Sequence, residues 1–122
     1  LIISTHEIQE IMPWLDQIIV LQDGRLIQND GPEETFRNPY NEYVAKLFSE
    51  VNVFSDDELI RYHLSKKLWY PNEIRISENG IEAVVLESRF GGNHYWNRVS
   101  LENKDLIVFT SEKISGKINL EF

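Results

Sequence analysis

From Trp69 onward the chain is cut into short β-rich runs, and this punctuation limits the folds open to it more than any other feature. The runs are Glu73 to Ile76, Ile81 to Ser88, His94 to Leu101, Leu106 to Thr110 and Lys117 to Phe122. Between them stand Asn79-Gly80, Gly91-Gly92-Asn93, Asn103-Lys104 and Ser115-Gly116. Glycine and asparagine tolerate the backbone conformations of tight turns, so each cluster reads as a chain reversal. Strands at roughly 8 to 12 residue spacing predict a small antiparallel barrel or sheet.

The first half has another texture. Leu1 to Ser4 reads as a buried strand, and Ser4 with Glu7 three residues on forms a potential capping box. Ile8, Ile11, Met12 and Leu15 follow at helical spacing, but Pro13 ends or bends that helix near Met12. Ile18 to Leu21, the turn pair Asp23-Gly24 and the return run Arg25 to Gln28 predict a hairpin. Pro32, Glu33 and Glu34 suit a helix start, and Asn38-Pro39 stops that helix. Tyr43, Val44, Leu47, Phe48 and Val51 repeat at helical spacing, and Ser55 with Glu58 caps a further helix from Asp56 to about Ser65.

Charge divides the chain near residue 50. Nine acidic and three basic side chains fall in residues 1 to 50, against eleven and nine in residues 51 to 122. The net charge of −8 argues against nucleic acid as a partner, because phosphate binding needs clustered Lys and Arg. No apolar run approaches the roughly 18 residues that span a bilayer. Cysteine is absent, which removes disulfides and thiolate metal sites.

The residue with chemical content is His6, placed between an apolar strand and a helix. Such a junction can aim an imidazole into the crevice at the carboxyl edge of an α/β sheet. Taken alone, a single histidine near a helix start is more often structural than functional. His6-Glu7 also begins like a zinc-hydrolase helix, but the second histidine that motif needs is Glu10, and no metal site is expected. His63 and His94 carry no assigned role. Trp69-Tyr70-Pro71 and Tyr95-Trp96 read as core aromatics rather than a ligand site.

Ser4-Thr5-His6-Glu7, Leu15-Asp16-Gln17-Ile18, Asp23-Gly24-Arg25-Leu26, Pro32-Glu33-Glu34-Thr35-Phe36, Asn38-Pro39 and Tyr43-Val44-Ala45 stand in fixed order. Together they resemble the closing part of the ATP-binding subunit of an ABC transporter of importer type. Glu7 replaces the aspartate usual after the switch histidine, Asp30-Gly31 stands where importers often carry Gly-Thr, and Pro13 is unusual. The second half resembles the transport-associated OB-like domain appended to many such subunits. There Tyr70 and Asn72 replace the arginine and glutamate of the family's arginine-proline-glutamate segment.

The resemblance implies an α+β chain. A remnant of an α/β ATPase domain in residues 1–50 is followed by a helical linker in 51–72 and an OB-like antiparallel β domain in 73–122. It gives His6 a catalytic and nucleotide-contacting role toward the γ-phosphate of ATP. The glycine-rich loop with its lysine, the signature motif and the magnesium-holding aspartate are not in these residues. ATP and Mg are therefore expected of an intact parent, and no cofactor of this fragment. The implied partners are a transmembrane permease and a second ATP-binding subunit as homodimer, on the cytoplasmic face of the membrane. The apolar segments Leu1 to Ile3 and Ile18 to Leu21 predict self-association. The alternative from another class is a stand-alone β-barrel ligand-binding or regulatory module.

Overall fold

The computed structural model describes residues 8–122, which divide into two compact units, 8–49 and 50–122. The expected strand Leu1 to Ser4, the Ser4 to Glu7 capping box and His6 lie outside the described residues.

In the first unit, helix α1 (Ile8–Ile11) runs into a single 3-10 turn over Met12–Trp14 that holds Pro13. A proline ring has no N–H to continue the α-helical ladder, and the tighter turn absorbs it. Strands β1 (Ile18–Gln22) and β2 (Arg25–Asp30) then pair as an antiparallel hairpin. Asp23 and Gly24 both take positive φ, 53° and 77°, the primed turn geometry that matches strand twist. The register shifts after Val20, so that Ile27 is an extra residue on β2. Val20 thereby faces Gln28 while Leu21 faces Leu26.

Helix α2 (Pro32–Arg37) begins with proline, where the missing N–H is an orphan anyway. Helix α3 (Glu42–Lys46) is capped by Asn41, whose Oδ1 accepts from Val44 N at 3.0 Å. The amphipathic run through Val51 is therefore helical only at its start. Val44, Ala45 and Phe48 are buried, and Phe48 meets the Phe36 ring edge to face at 5.3 Å. Gln28, also buried, ties the unit together. Its Nε2 donates to Asp30 Oδ2 and Asn38 O, and its Oε1 accepts from Tyr40 N at 2.8 Å.

The second unit is built on four antiparallel strands in the order β7-β6-β5-β8. They are β5 (Arg75–Phe90), β6 (Tyr95–Leu101), β7 (Lys104–Thr110) and β8 (Lys117–Glu121). Ahead of them a two-stranded ribbon, β3 (Asn52–Val53) with β4 (Leu68–Trp69), brackets helix α4 (Asp56–Tyr62). The Ser55 and Glu58 capping box forms in both directions, and α4 ends on His63 in the left-handed region at φ 56°. The Ser55 N–H donated to its carboxylate, with Lys104 beside it, holds the Glu58 carboxyl below its usual range against a smaller opposing effect of burial.

The expected reversal at Asn79-Gly80 does not occur, and the two expected strands on either side of it are one. Ile76 and Ile81 both pair with Leu120, so residues 77–80 leave the ladder as an excursion and the strand resumes in the same direction. A Cβ on Gly80 would lie 2.1 Å from Leu120 O, so glycine serves close backbone approach here and not a turn. The other glycine and asparagine signals do mark reversals. Glu102 and Asn103, at φ 47° and 72°, make the tight β6–β7 turn.

The core of this unit joins Phe54, Trp69, Ile74, Ala83, Val99, Leu101, Leu106, Val108 and Leu120. Phe122 sets its ring edge to face against both Phe54 and Trp69, at 5.6 and 5.3 Å, which links the end of β8 to the β3–β4 ribbon. At the other margin the ribbon meets β7 through side-chain and loop bonds. Asn52 Nδ2 donates to Ile107 O and Asn52 Oδ1 accepts from Ile107 N, each at 2.8 Å, and Phe109 N donates to Pro71 O. An amide side chain thus copies the hydrogen-bond pair of an added strand.

Candidate functional site

His6, the sequence-predicted catalytic and nucleotide-contacting residue, lies outside the described residues. What the structure describes is the scaffold that follows it in the first unit. Beside β1 runs a groove of about 350 Å³ whose walls include Ile8, Ile11, Leu15, Ile18, Tyr43 and Leu47. Among the described residues its lining contains no cationic side chain that could neutralise phosphate.

The cations of this unit are Arg25, Arg37 and Lys46. Arg37 pairs with Glu33 at 2.9 Å and Lys46 with Glu42 at 2.8 Å, each one helical turn away, and Arg25 sits exposed beside the hairpin turn. No triphosphate cradle is built among the described residues: the cations are dispersed, and two of them already have carboxylate partners. The described residues by themselves do not fit ATP and Mg.

Nor do the remaining histidines converge. His63 is exposed at the end of α4, and His94 stacks on Phe109 with ring centroids 3.8 Å apart. Glu10 is exposed on α1. Among the described residues no group of three or more His, Cys, Asp or Glu side chains is placed to hold a metal ion. None of the described helices is long and apolar enough to cross a membrane.

The aromatic cluster expected to seal the β module does so. Trp69 and Tyr70 are buried, and Trp69 Nε1 donates to Lys66 O at 2.9 Å. Burial, with the Glu73 carboxylate adding to it, pushes the Tyr70 hydroxyl up to about 12. Trp96 is half-buried and donates Nε1 to Glu50 Oε2 at 3.0 Å. On the sheet beside it Arg98 bridges Glu87 and Asp105, at 3.1 and 3.2 Å. The two arginines on Glu87, Arg98 first and then Arg89, hold its carboxyl below the usual range. This is a solvated ion network and offers no enclosed reaction site.

No protein-family profile matches the chain. Individual relatives do. The spermidine/putrescine import ATP-binding protein PotA of Vibrio cholerae is 32% identical over 84 residues, which is 69% of this chain and 20% of that protein. PotA of Pasteurella multocida is 38% identical over 60 residues, 49% of this chain and 16% of that protein. The glycine betaine transport ATP-binding protein OpuAA of Bacillus subtilis is 31% identical over 91 residues, 75% and 21%. The chain therefore spans about a fifth of the length of the curated relatives it matches. By sequence it belongs with the ATP-binding subunits of ABC importers, as a stretch homologous to part of such a subunit.

Proposed function

We propose that this chain is the closing part of an importer's ATP-binding subunit. Residues 1–50 would finish the ATPase domain, and residues 73–122 would form an accessory domain of the transport-associated OB type. The observation that carries this reading is the similarity to importer ATP-binding proteins over 69% and 75% of the chain. The four-stranded sheet flanked by the Asn52-anchored ribbon supports the accessory-domain assignment.

In the intact subunit, His6 contacts the γ-phosphate of ATP, with Mg and the phosphate cradle supplied by residues outside this sequence. The subunit pairs with a second copy and docks on a membrane permease from the cytoplasmic side. The chain alone neither holds nor hydrolyses nucleotide, in keeping with the dispersed cations of its first unit. The test is His6→Ala in the intact subunit: nucleotide binding survives and hydrolysis collapses, and retained turnover contradicts the assignment. Calorimetry on the isolated chain should show no saturable ATP isotherm.

The isolated chain self-associates through its first unit. Ile19, Leu21 and Leu26 are each more than half exposed on the hairpin, and Trp14 is 82% exposed. A single two-stranded hairpin is marginal on its own in water, so these side chains seek cover. Sedimentation velocity should show mass rising with concentration, and a monomer at all concentrations refutes it.

A further inference from the structure

The structure assigns Asn79, whose side chain is exposed, as a site of spontaneous, backbone-assisted deamidation. In this reaction the backbone nitrogen of Gly80 attacks Asn79 Cγ and forms an N–Cγ bond. The Cγ–Nδ2 bond breaks, and ammonia leaves carrying the proton lost from the Gly80 nitrogen. Water then opens the resulting five-membered imide at either carbonyl, giving aspartate or its isoaspartyl isomer. Water is the sole co-reactant, and nothing is oxidised or reduced.

Three observations meet at this position. Asn79-Gly80 is the chain's one Asn-Gly pair, and glycine has no Cβ to screen its own nitrogen from the Asn79 side chain. Residues 77–80 form no rungs with β8, since Ile76 and Ile81 share Leu120 as partner, and β5 meets β6 only from Val84 onward. Asn79 is exposed, and among the described residues its side-chain amide makes no hydrogen bond; its backbone N–H donates to Ser77 Oγ at 3.3 Å.

The other nine asparagines differ. Six have side-chain hydrogen bonds, Asn52 and the fully buried Asn97 among them. Asn72, Asn93 and Asn103 precede Glu73, His94 and Lys104, whose side chains crowd the attacking nitrogen.

The product places a carboxylate between Glu78 and Glu82 on an already acidic chain. The isoaspartyl form also inserts a methylene into a stretch that makes no rungs. The rungs at Ile76 and Ile81 flank the change, so the sheet persists and the modified chain is more acidic at unchanged fold.

The experiment incubates the full chain in mildly alkaline buffer and follows every asparagine by peptide mapping with enzymatic isoaspartyl labelling. Position 79 should gain label several-fold faster than any other asparagine. Asn79→Gln should abolish that label and leave the others unchanged. Strong protection of Asn79 in the folded chain, or earlier loss at Asn72, Asn93 or Asn103, overturns the assignment.

Discussion

Replacing Asn52 by leucine tests whether one amide closes the margin of the β module. Asn52 is 6% exposed, and its side chain makes three bonds: Nδ2 to Trp69 O at 3.2 Å and to Ile107 O at 2.8 Å, and Oδ1 from Ile107 N at 2.8 Å. Leucine matches its size, so the change removes polarity and adds little strain. The Ile107 N–H and C=O then lose their partner at a half-buried edge. An unsatisfied buried polar group costs about 1–3 kcal/mol, and water reaching the edge recovers part of that, so a loss of about 2–4 kcal/mol is expected. A unit the length of Glu50–Phe122 has a total stability of about 4–11 kcal/mol at the usual value per residue, so a large share goes.

Urea unfolding followed by the fluorescence of buried Trp69 measures it. Asn52→Asp sharpens the test. Its carboxylate can still accept from Ile107 N but points its other oxygen at two carbonyls. That penalty favours the protonated acid and raises the folded pKa of the introduced group. Stability is then present below the unfolded carboxyl pKa and is lost as pH rises through the higher folded one. A leucine variant within about 0.5 kcal/mol of the parent, the usual range for an indifferent surface change, refutes the closing role.

Gly80→Ala drives a methyl into the Leu120 backbone and should cost at least about 1–3 kcal/mol, read as a melting temperature lowered by roughly 4–8 °C per kcal/mol. Gln28→Leu removes the bonds that hold Asn38 and Tyr40; about 1–3 kcal/mol is expected, with limited proteolysis newly cutting near Asn38 to Tyr40. Tyr70 titrates from 10.0 unfolded to about 12 folded. Its neutral form is the one the fold favours, so that stabilisation is complete below pH 10.0 and lost as pH rises through about 12. Tyr70→Phe should flatten the alkaline limb of stability between those values, and an unchanged limb contradicts the assignment.

What the sequence made legible was local chemistry. The Asp23-Gly24 turn, the proline start of α2 and the Ser55 to Glu58 capping box each rest on neighbours within four residues, and each forms. Asn79-Gly80 misled because glycine has two uses. Turn chemistry is local, whereas the close approach of Gly80 to Leu120 depends on a strand forty residues away in sequence. The amphipathic stripe through Val51 misled for a related reason: apolar spacing marks burial, and Phe48 is buried without the helix extending to it. Asn52 left one faint trace, a polar residue flanked by Val51 and Val53 and followed by buried Phe54. Its partner, Ile107, could be known only from the fold.

The two units differ in how far they satisfy themselves, and that difference bears on function. In residues 50–122 the ribbon, the sheet margin and the end of β8 meet through Asn52 and Phe122 around a shared core. In residues 8–49 the hairpin keeps Ile18 and Val20 inside while Ile19, Leu21 and Leu26 face outward. An antiparallel pair with one polar face alternates apolar with polar, whereas strands apolar on both faces belong between layers. β1 has the second pattern in a two-stranded sheet. Strand β1 therefore carries the composition of an interior strand, which fits a chain homologous to about a fifth of a larger ATP-binding subunit. On the proposed reading the outward apolar face would be a seam toward further structure, whereas residues 50–122 already close their apolar side chains around one core.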